Sequence, residues 1–517
     1  MYLFSTFGNN NQEGGIIVIS YWIDSTKDEG IFKELNTNIS CDVCIIGAGM
    51  FGLSTAYYLS KKGLNVVVLD KSCIGSKASG YTTAKITSQH GLIYDYLINT
   101  FGKDNTKKYL DANEQAIKNI KNIIDNENIE CDYEVQSSFV YANKQEETNK
   151  IKQEVQVVKS LGIDAQFIDQ LAVPFKNYGA IMFPNQAQFH PRKYMLGLCN
   201  CILKNSSQIY TNTIVHDVKK ENGFYITCTS EHTVKSKYVV LASHYPFINF
   251  PGFYFTKMYQ ATSYVLGVDT KADLFDGMYI SSTTPTYSYR TVKFSNKKLL
   301  LIGGAGHKTG EEGISTYSTY DILEQNAKDL YPDCVTLYRW NTRDCVTLDK
   351  VPYIGEFSSL MPNMYIATGF NKWGMTSSNI AANIIADKIL GIENKYEEAF
   401  TSTRLKPIKN IEELKNMLKQ TATSLVVEKL KIPDDTIKDI KNNNGRIVEI
   451  DGNKIGIYKD NSGNLFAVKP ICTHLGCSLV WNNADKTWDC PCHGSRFNYK
   501  GINIYDPAFK SLETYNL

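Results

Sequence analysis

Val43-Cys44-Ile45-Ile46-Gly47-Ala48-Gly49-Met50-Phe51-Gly52 reads as a buried strand running into a glycine turn. The apolar run is short and uncharged, as a strand covered on both faces must be. Helical spacing follows through Leu53, Ala56, Tyr57 and Leu59, and Gly63 supplies the stop. A second apolar run, Asn65 to Leu69, ends on Asp70, eighteen residues after Gly52. Glycines at 47, 49 and 52 between strand and helix, with an acid at that distance, form a dinucleotide-binding turn. Gly47 permits the tight turn, Gly49 lets a pyrophosphate reach the backbone, and Gly52 lets helix and strand pack closely. Met50 and Phe51 open the helix whose N-terminus attracts phosphate. Asp70, followed by Lys71, can accept hydrogen bonds from a ribose. Cys41 and Cys44 make a C-x-x-C, but they lie in the strand and read as small core residues.

NAD and FAD both use this turn, and three further stretches favour FAD. Gly75-Ser76-Lys77-Ala78-Ser79-Gly80-Tyr81-Thr82-Thr83 resembles the loop after the second strand in the D-amino-acid oxidase-like flavoproteins, the superfamily of glycine and sarcosine oxidases. That resemblance implies that Ser79, Gly80, Thr82 and Thr83 border the phosphates and the flavin ring. Tyr238 to Ser243 is similar to a later strand of the nucleotide domain, which brings Ala242, together with Val215, to the cofactor. Asn363 to Phe370, followed by Trp373-Gly374-Met375-Thr376, is similar to the C-terminal flavin segment. There Gly369, Trp373, Gly374, Met375 and Thr376 would set a helix N-terminus against the N1–C2 edge of the ring. Several relatives attach FAD through a His after the Ser-Gly pair. The matching position is Ala84, so non-covalent FAD is expected. Leu299 to Gly310 and Arg339 to Gly355 extend the resemblance, which covers residues 38 to 392.

The C-terminal region carries a second cofactor signature. Cys472-Thr473-His474-Leu475-Gly476-Cys477 and Cys490-Pro491-Cys492-His493-Gly494-Ser495 each pair one Cys with one His and add a second Cys. The boxes resemble those of a Rieske iron–sulfur domain, and their order is far more specific than generic zinc spacing. The resemblance implies that Cys472 and Cys490 hold one iron of a [2Fe–2S] cluster and that His474 and His493 hold the other. Cys477 and Cys492 would form a disulfide between the loops. Two imidazoles in place of thiolates raise the potential from about −400 mV to between about −150 and +300 mV. Ser495 matches a donor to a bridging sulfide in high-potential members, whereas Phe497 stands where those members have a tyrosine. A potential below that of respiratory centres follows. Flavoprotein and Rieske boxes together fit best a bacterial subgroup with this fusion.

The expected fold is therefore an α/β Rossmann-like FAD-binding domain with an antiparallel-sheet substrate domain, plus a C-terminal all-β Rieske domain. We divide the chain into an N-terminal extension (1–36), FAD-binding pieces (37–104, 185–255 and 350–392), substrate-domain pieces (105–184 and 256–349), a linker (393–422) and the Rieske domain (423–517). The first 17 residues or so are expected to add nothing to the fold. In the first insert Tyr109, Ala112, Ala116, Ile117, Ile120, Ile123 and Ile124 share one helical face and read as core.

With 43% hydrophobic and 21% charged residues the composition is globular. A net charge of +2 offers no surface for nucleic acid, and no apolar run spans a bilayer. Nine cysteines scattered outside the C-terminal boxes, and no export signal, point to the cytoplasm.

The function implied is a dehydrogenase. An amine or amino acid gives two electrons to FAD, and the cluster takes them singly and passes them to an unidentified acceptor. The alternatives are a reductase with reversed flow and a non-catalytic redox sensor. Arg343 and Lys372 are the substrate-site candidates, since the superfamily places cations near both positions. Arg290 and Tyr264 fall on cap strands, and His307 follows a Gly-Gly turn. No paired His spacing remains for the mononuclear iron that a Rieske oxygenase needs.

Overall fold

The computed structural model describes residues 12–13, 16–27, 29–311, 316, 318–404 and 436–515. Strand β1 (Ile39–Ile46) runs through the glycine turn into helix α1 (Met50–Lys61), which returns the chain to β2 (Val66–Leu69). β1 and β2 pair in parallel, Val43 opposite Val66 and Ile46 opposite Leu69. On its other side β1 pairs in parallel with β3 (Thr233–Leu241), which in turn accepts the strand Met364–Thr368. These strands belong to an eight-stranded sheet. Its centre is buried on both faces, which is why its strands read as unbroken apolar runs.

The second sheet has eleven strands and carries the substrate domain. Its middle is β4 (Met258–Asp269), flanked antiparallel by β5 (Lys297–Lys308) and β6 (Val335–Thr347). Side chains on a strand alternate between faces. Tyr259, Ala261 and Ser263 therefore share one face with their partners Val346, Asp344 and Thr342. Gln260, Thr262 and Tyr264 share the other with Cys345, Arg343 and Asn341. The helix Lys103–Glu127 buries the face that carries Tyr109, Ala112, Ala116, Ile117, Ile120, Ile123 and Ile124.

Three sequence expectations need correction. The described residues of the N-terminal extension join the fold, while residues 1–11 lie outside the described residues. Gln12–Glu13 and Ile16–Ile17 form a hairpin, and Ile17 pairs with Tyr338 at the open edge of β6. Trp22 is buried, and its indole N–H donates to the Thr82 carbonyl at 2.7 Å. The boundary placed at 184/185 falls inside one continuous strand, Ala180–Gln188. Finally, the start of the supposed linker belongs to the flavoprotein body. Phe400 is fully buried, and Arg404 grips Asp349 with Nε–Oδ2 at 2.6 Å and Nη2–Oδ1 at 2.9 Å. Residues 405–422 lie outside the described residues.

The C-terminal region forms two four-stranded antiparallel sheets, one from segments between Asn444 and Tyr515 and one from segments between Val480 and Tyr505. A Cys477–Cys492 disulfide ties its two loops, fifteen residues apart in sequence. Closing a loop of that length contributes about 3 kcal/mol in the chain-entropy account. Cys477→Ser should lower the apparent melting point of this domain accordingly, followed by loss of the cluster's visible absorbance on heating.

This domain docks on the face of β4 and β6 that carries Gln260 and Arg343. Gln260 Nε2 donates to the His493 carbonyl at 2.9 Å, and Asn341 Nδ2 donates to Asp485 Oδ1 at 2.7 Å. A second contact reaches the nucleotide domain. Lys71 pairs with Asp506 at 2.5 Å, Lys77 Nζ donates to the Ile504 carbonyl at 2.6 Å, and the Phe247 and Phe509 rings meet at 5.5 Å.

Candidate active site and iron–sulfur centre

Between the two large sheets lies a cavity of about 1330 Å³. One end is lined by the glycine turn (Gly47, Gly49, Met50, Phe51), by Asp70 and Lys71, and by Ser79, Thr82, Thr83, Val215 and Ala242. The other end is lined by Ser263, Thr342, Asp344 and His307 from the substrate sheet. Lys372, Trp373, Gly374 and Met375 close it from the nucleotide side. Gly52, Gly80, Gly369 and Thr376 shape the site from behind. A Cβ on Gly52 would lie 1.9 Å from the Gly47 carbonyl oxygen, and one on Gly80 would lie 2.0 Å from that of Gly75. Asp70 accepts from Ala48 N at 2.7 Å and from Ser72 N at 2.8 Å. Burial raises its pKa against these bonds.

The cavity fits FAD on three counts. α1 and the helix α2 (Gly374–Leu390) both begin at the cavity; neither is capped by the side chain of its N-cap residue, Gly49 or Trp373, and in α1 the Ser79 hydroxyl accepts from the first amide, Met50 N, at 3.0 Å. Two positive helix ends therefore face the space where a pyrophosphate and an electron-rich ring edge would be held. His244 and Tyr505 line the cavity, and their buried Nε2 and OH atoms have no hydrogen-bond partner among the described residues. Ala84, where covalent relatives have a histidine, is buried and has no nucleophile, which suits non-covalent FAD.

The Rieske loops meet the same kind of test. Cys472 and Cys490 are buried with their thiols hydrogen-bonded to each other. That bond, together with the backbone amides of His474 and Leu475 and the hydroxyl of Ser495, draws Cys472 down to about 7. Cys490 rises in turn, because the pair shares one proton. The His474 and His493 rings stand perpendicular, 5.1 Å between centroids. Both Nδ1 atoms are buried and have no hydrogen-bond partner among the described residues. Burial lowers the two imidazoles to about 4 and about 3, so both are neutral and able to bind metal. Cys490 also lies within 4.8 Å of Cys477 and Cys492, but these two are bonded to each other and have no thiolate to offer. Two thiolates and two imidazoles remain, the donor set of a Rieske cluster.

A family model of FAD-dependent oxidoreductases matches residues 42–388, and one of Rieske [2Fe–2S] domains matches residues 431–516. The chain belongs to the FAD-dependent oxidoreductase family, with a C-terminal Rieske domain. This flavoprotein is 38% identical over 499 residues to the putative Rieske 2Fe-2S iron-sulfur protein YhfW of Bacillus subtilis (strain 168), covering 96% of this chain and 97% of that one. It is 25% identical to the gamma-glutamylputrescine oxidoreductase of Escherichia coli (strain K12), over 73% of this chain and 90% of that one. The crystal structure of glycine oxidase from Geobacillus kaustophilus superposes with a TM-score of 0.60 at 18% identity, covering 71% of this chain and 99% of that one.

The two substrate-site candidates part company. Lys372 lines the cavity, its ammonium donating to Ser263 Oγ at 2.9 Å. Arg343 does not line it and faces the Rieske domain. Its guanidinium donates to Asn341 Oδ1 at 2.6 Å, lies 3.9 Å from Asp485 and covers the Tyr505 ring at 4.6 Å. Arg343→Met should therefore leave the KM of flavin reduction within about twofold, while slowing cluster reduction in stopped-flow traces. Arg290 is buried and donates to the Thr83 and Ala84 carbonyls at 2.8 and 2.7 Å, bracing the flavin loop. His307 lies within β5, its Nε2 3.1 Å from Tyr264 OH.

Sequence reasoning missed Asp344, His244 and the Rieske-domain residues Pro491, Tyr505, Asp506 and Phe509, all on the cavity wall. The alternation of β6 could have pointed to Asp344. The Rieske residues carry no local signal.

Proposed function

We propose that this protein oxidises a C–N bond of an amine or amino acid and passes the electrons singly through its Rieske cluster to a separate acceptor. The observation that carries this reading is a shared wall. Ala261 faces the flavin cavity, while its neighbour Gln260 holds the His493 carbonyl on the opposite face. Tyr505 and Asp506 reach round from the Rieske domain into the cavity itself. When bound, FAD supplies a hydride acceptor and the cluster a one-electron acceptor. The protein's own residues hold the cofactor, orient the substrate and exclude water. The names of the glycine oxidase and gamma-glutamylputrescine oxidoreductase relatives favour nitrogen-bearing substrates. Nine free thiols outside the cluster loops suit a reducing compartment, and we place the protein in the cytoplasm. Among the described residues no helix is long and apolar enough to cross a membrane.

The test is anaerobic absorbance spectroscopy of the holoprotein against amino acids, N-methyl amines and hydroxy acids. Bleaching of the flavin by a nitrogen-bearing compound, followed by cluster reduction, supports the reading. Bleaching by hydroxy acids alone, or by no compound, contradicts it.

A further inference from the structure

Two loops frame the nucleotide end of the cavity, each carries a lysine, and both lysines are spent on the Rieske domain. Lys71 follows Asp70, the acid placed for a ribose, and its ammonium meets Asp506 at 2.5 Å. Lys77 stands two residues before Ser79, the residue that accepts from the first amide of α1, and its Nζ donates to the Ile504 carbonyl at 2.6 Å. The same ammonium lies 5.5 Å from the centre of the Tyr505 ring. A third contact is apolar. Phe247, in the loop after β3, meets Phe509 edge-on at 5.5 Å, and Phe509 stays 39% exposed, which puts the pair at the rim. Lys71, Lys77, Phe247, Tyr505, Asp506 and Phe509 all line the cavity. The Rieske side of these contacts is built into its own domain. Tyr505 pairs with Arg496, and Ala508 N donates to Ser495 Oγ at 3.0 Å, two residues past the cluster ligand His493. The segment therefore moves with the Rieske domain and not as a separate flap. Partly exposed ion pairs contribute little, and one aromatic pair adds only modestly to them. A ligand that touches both domains strengthens their contact, and each domain in return slows the loss of that ligand.

We propose that residues 504–509 of the Rieske domain roof the FAD site. They enclose the adenosine diphosphate half of the cofactor, so FAD enters and leaves only when the Rieske domain lifts, and bound FAD in turn holds that domain down. This rests on the FAD site alone and stands whichever substrate is oxidised.

The experiment compares full-length holoprotein with the same chain stripped of FAD and retaining its cluster. Amide hydrogen exchange over residues 503–509 should be about tenfold faster in the stripped protein, an ordinary size for coupling between two sites. ADP added to the stripped protein should restore slow exchange. FMN, which lacks the adenosine, should not. A variant carrying D506A with F509A loses the ion pair and the ring contact, and its holoprotein should release FAD about tenfold or more faster, read from flavin fluorescence after dilution. D506E with F509Y keeps both contacts and should stay within about threefold of the unmodified chain. Equal exchange with and without FAD overturns the proposal, as does protection by FMN as complete as that by FAD. Unchanged FAD release from D506A with F509A, the Rieske resonance signal being intact, overturns it too. If that variant loses the signal, exchange in the unmodified chain decides.

Discussion

Cys490→Ser should abolish the Rieske electron paramagnetic resonance signal and leave a yellow flavoprotein. Cys490 is fully buried and receives the backbone amides of His493 and Cys492, so no other described thiol can take its place beside Cys472. The sulfurs of Cys477 and Cys492 are within reach but are locked in their disulfide. Changes to groups around a metal site cost tenfold to a hundredfold, so loss of a ligand outright should lower turnover with an external acceptor by more than about a hundredfold. Bleaching of the flavin by substrate should survive in a single turnover, because the cavity's glycine turn and the N-terminus of α2 are untouched. Iron content, resonance spectra and single-turnover absorbance check each part.

Gly52→Val should have the opposite signature, removing FAD and sparing the cluster. The new Cβ would lie 1.9 Å from the Gly47 carbonyl oxygen and 3.2 Å from the Ala242 Cβ. Neither neighbour is the free end of a flexible side chain. Both belong to the crossing point of β1, α1 and β3, where helix and strand must touch. Overpacking a core costs about 1–3 kcal/mol when side chains can yield. Here the backbone must move, so the cost should reach or exceed the top of that range. FAD affinity should fall by more than about a hundredfold, equivalent to about 2.7 kcal/mol. Fluorescence titration of the cofactor-free chain measures the loss, and the Rieske signal reports whether the C-terminal domain is intact.

These two variants probe what was most legible in the chain. The glycine turn is readable because close backbone approaches at Gly47 and Gly52 demand the absence of a side chain. The cluster ligands are readable because metal chemistry restricts residue types at short spacing. Arg343 shows where such reading ends. Its charge and position suggested a substrate anchor, but a strand turns alternate residues to opposite faces, and one place along β6 separates the cavity from the Rieske interface. Asp344, its neighbour, is the residue that faces the cavity. Asp506 and Tyr505 could not have been read at all. Their place at the flavin depends on how two domains dock, and docking leaves no periodic mark on either segment. Trp22 escaped for a similar reason. It lies near the end of a short apolar run, Gly15 to Ile23, that carries no periodic pattern, and it is buried because the Thr82 loop and Arg290 of the substrate sheet are built around it.

The account holds that the two redox centres exchange electrons through one wall of a single folded chain. Flash photoreduction of the flavin in anaerobic holoprotein tests this directly, with the cluster followed by its visible absorbance and its resonance signal. The account predicts that the cluster becomes reduced as the flavin reoxidises, at a rate that does not change with protein concentration. A cluster that stays oxidised, or a rate that rises in proportion to protein concentration, would contradict it.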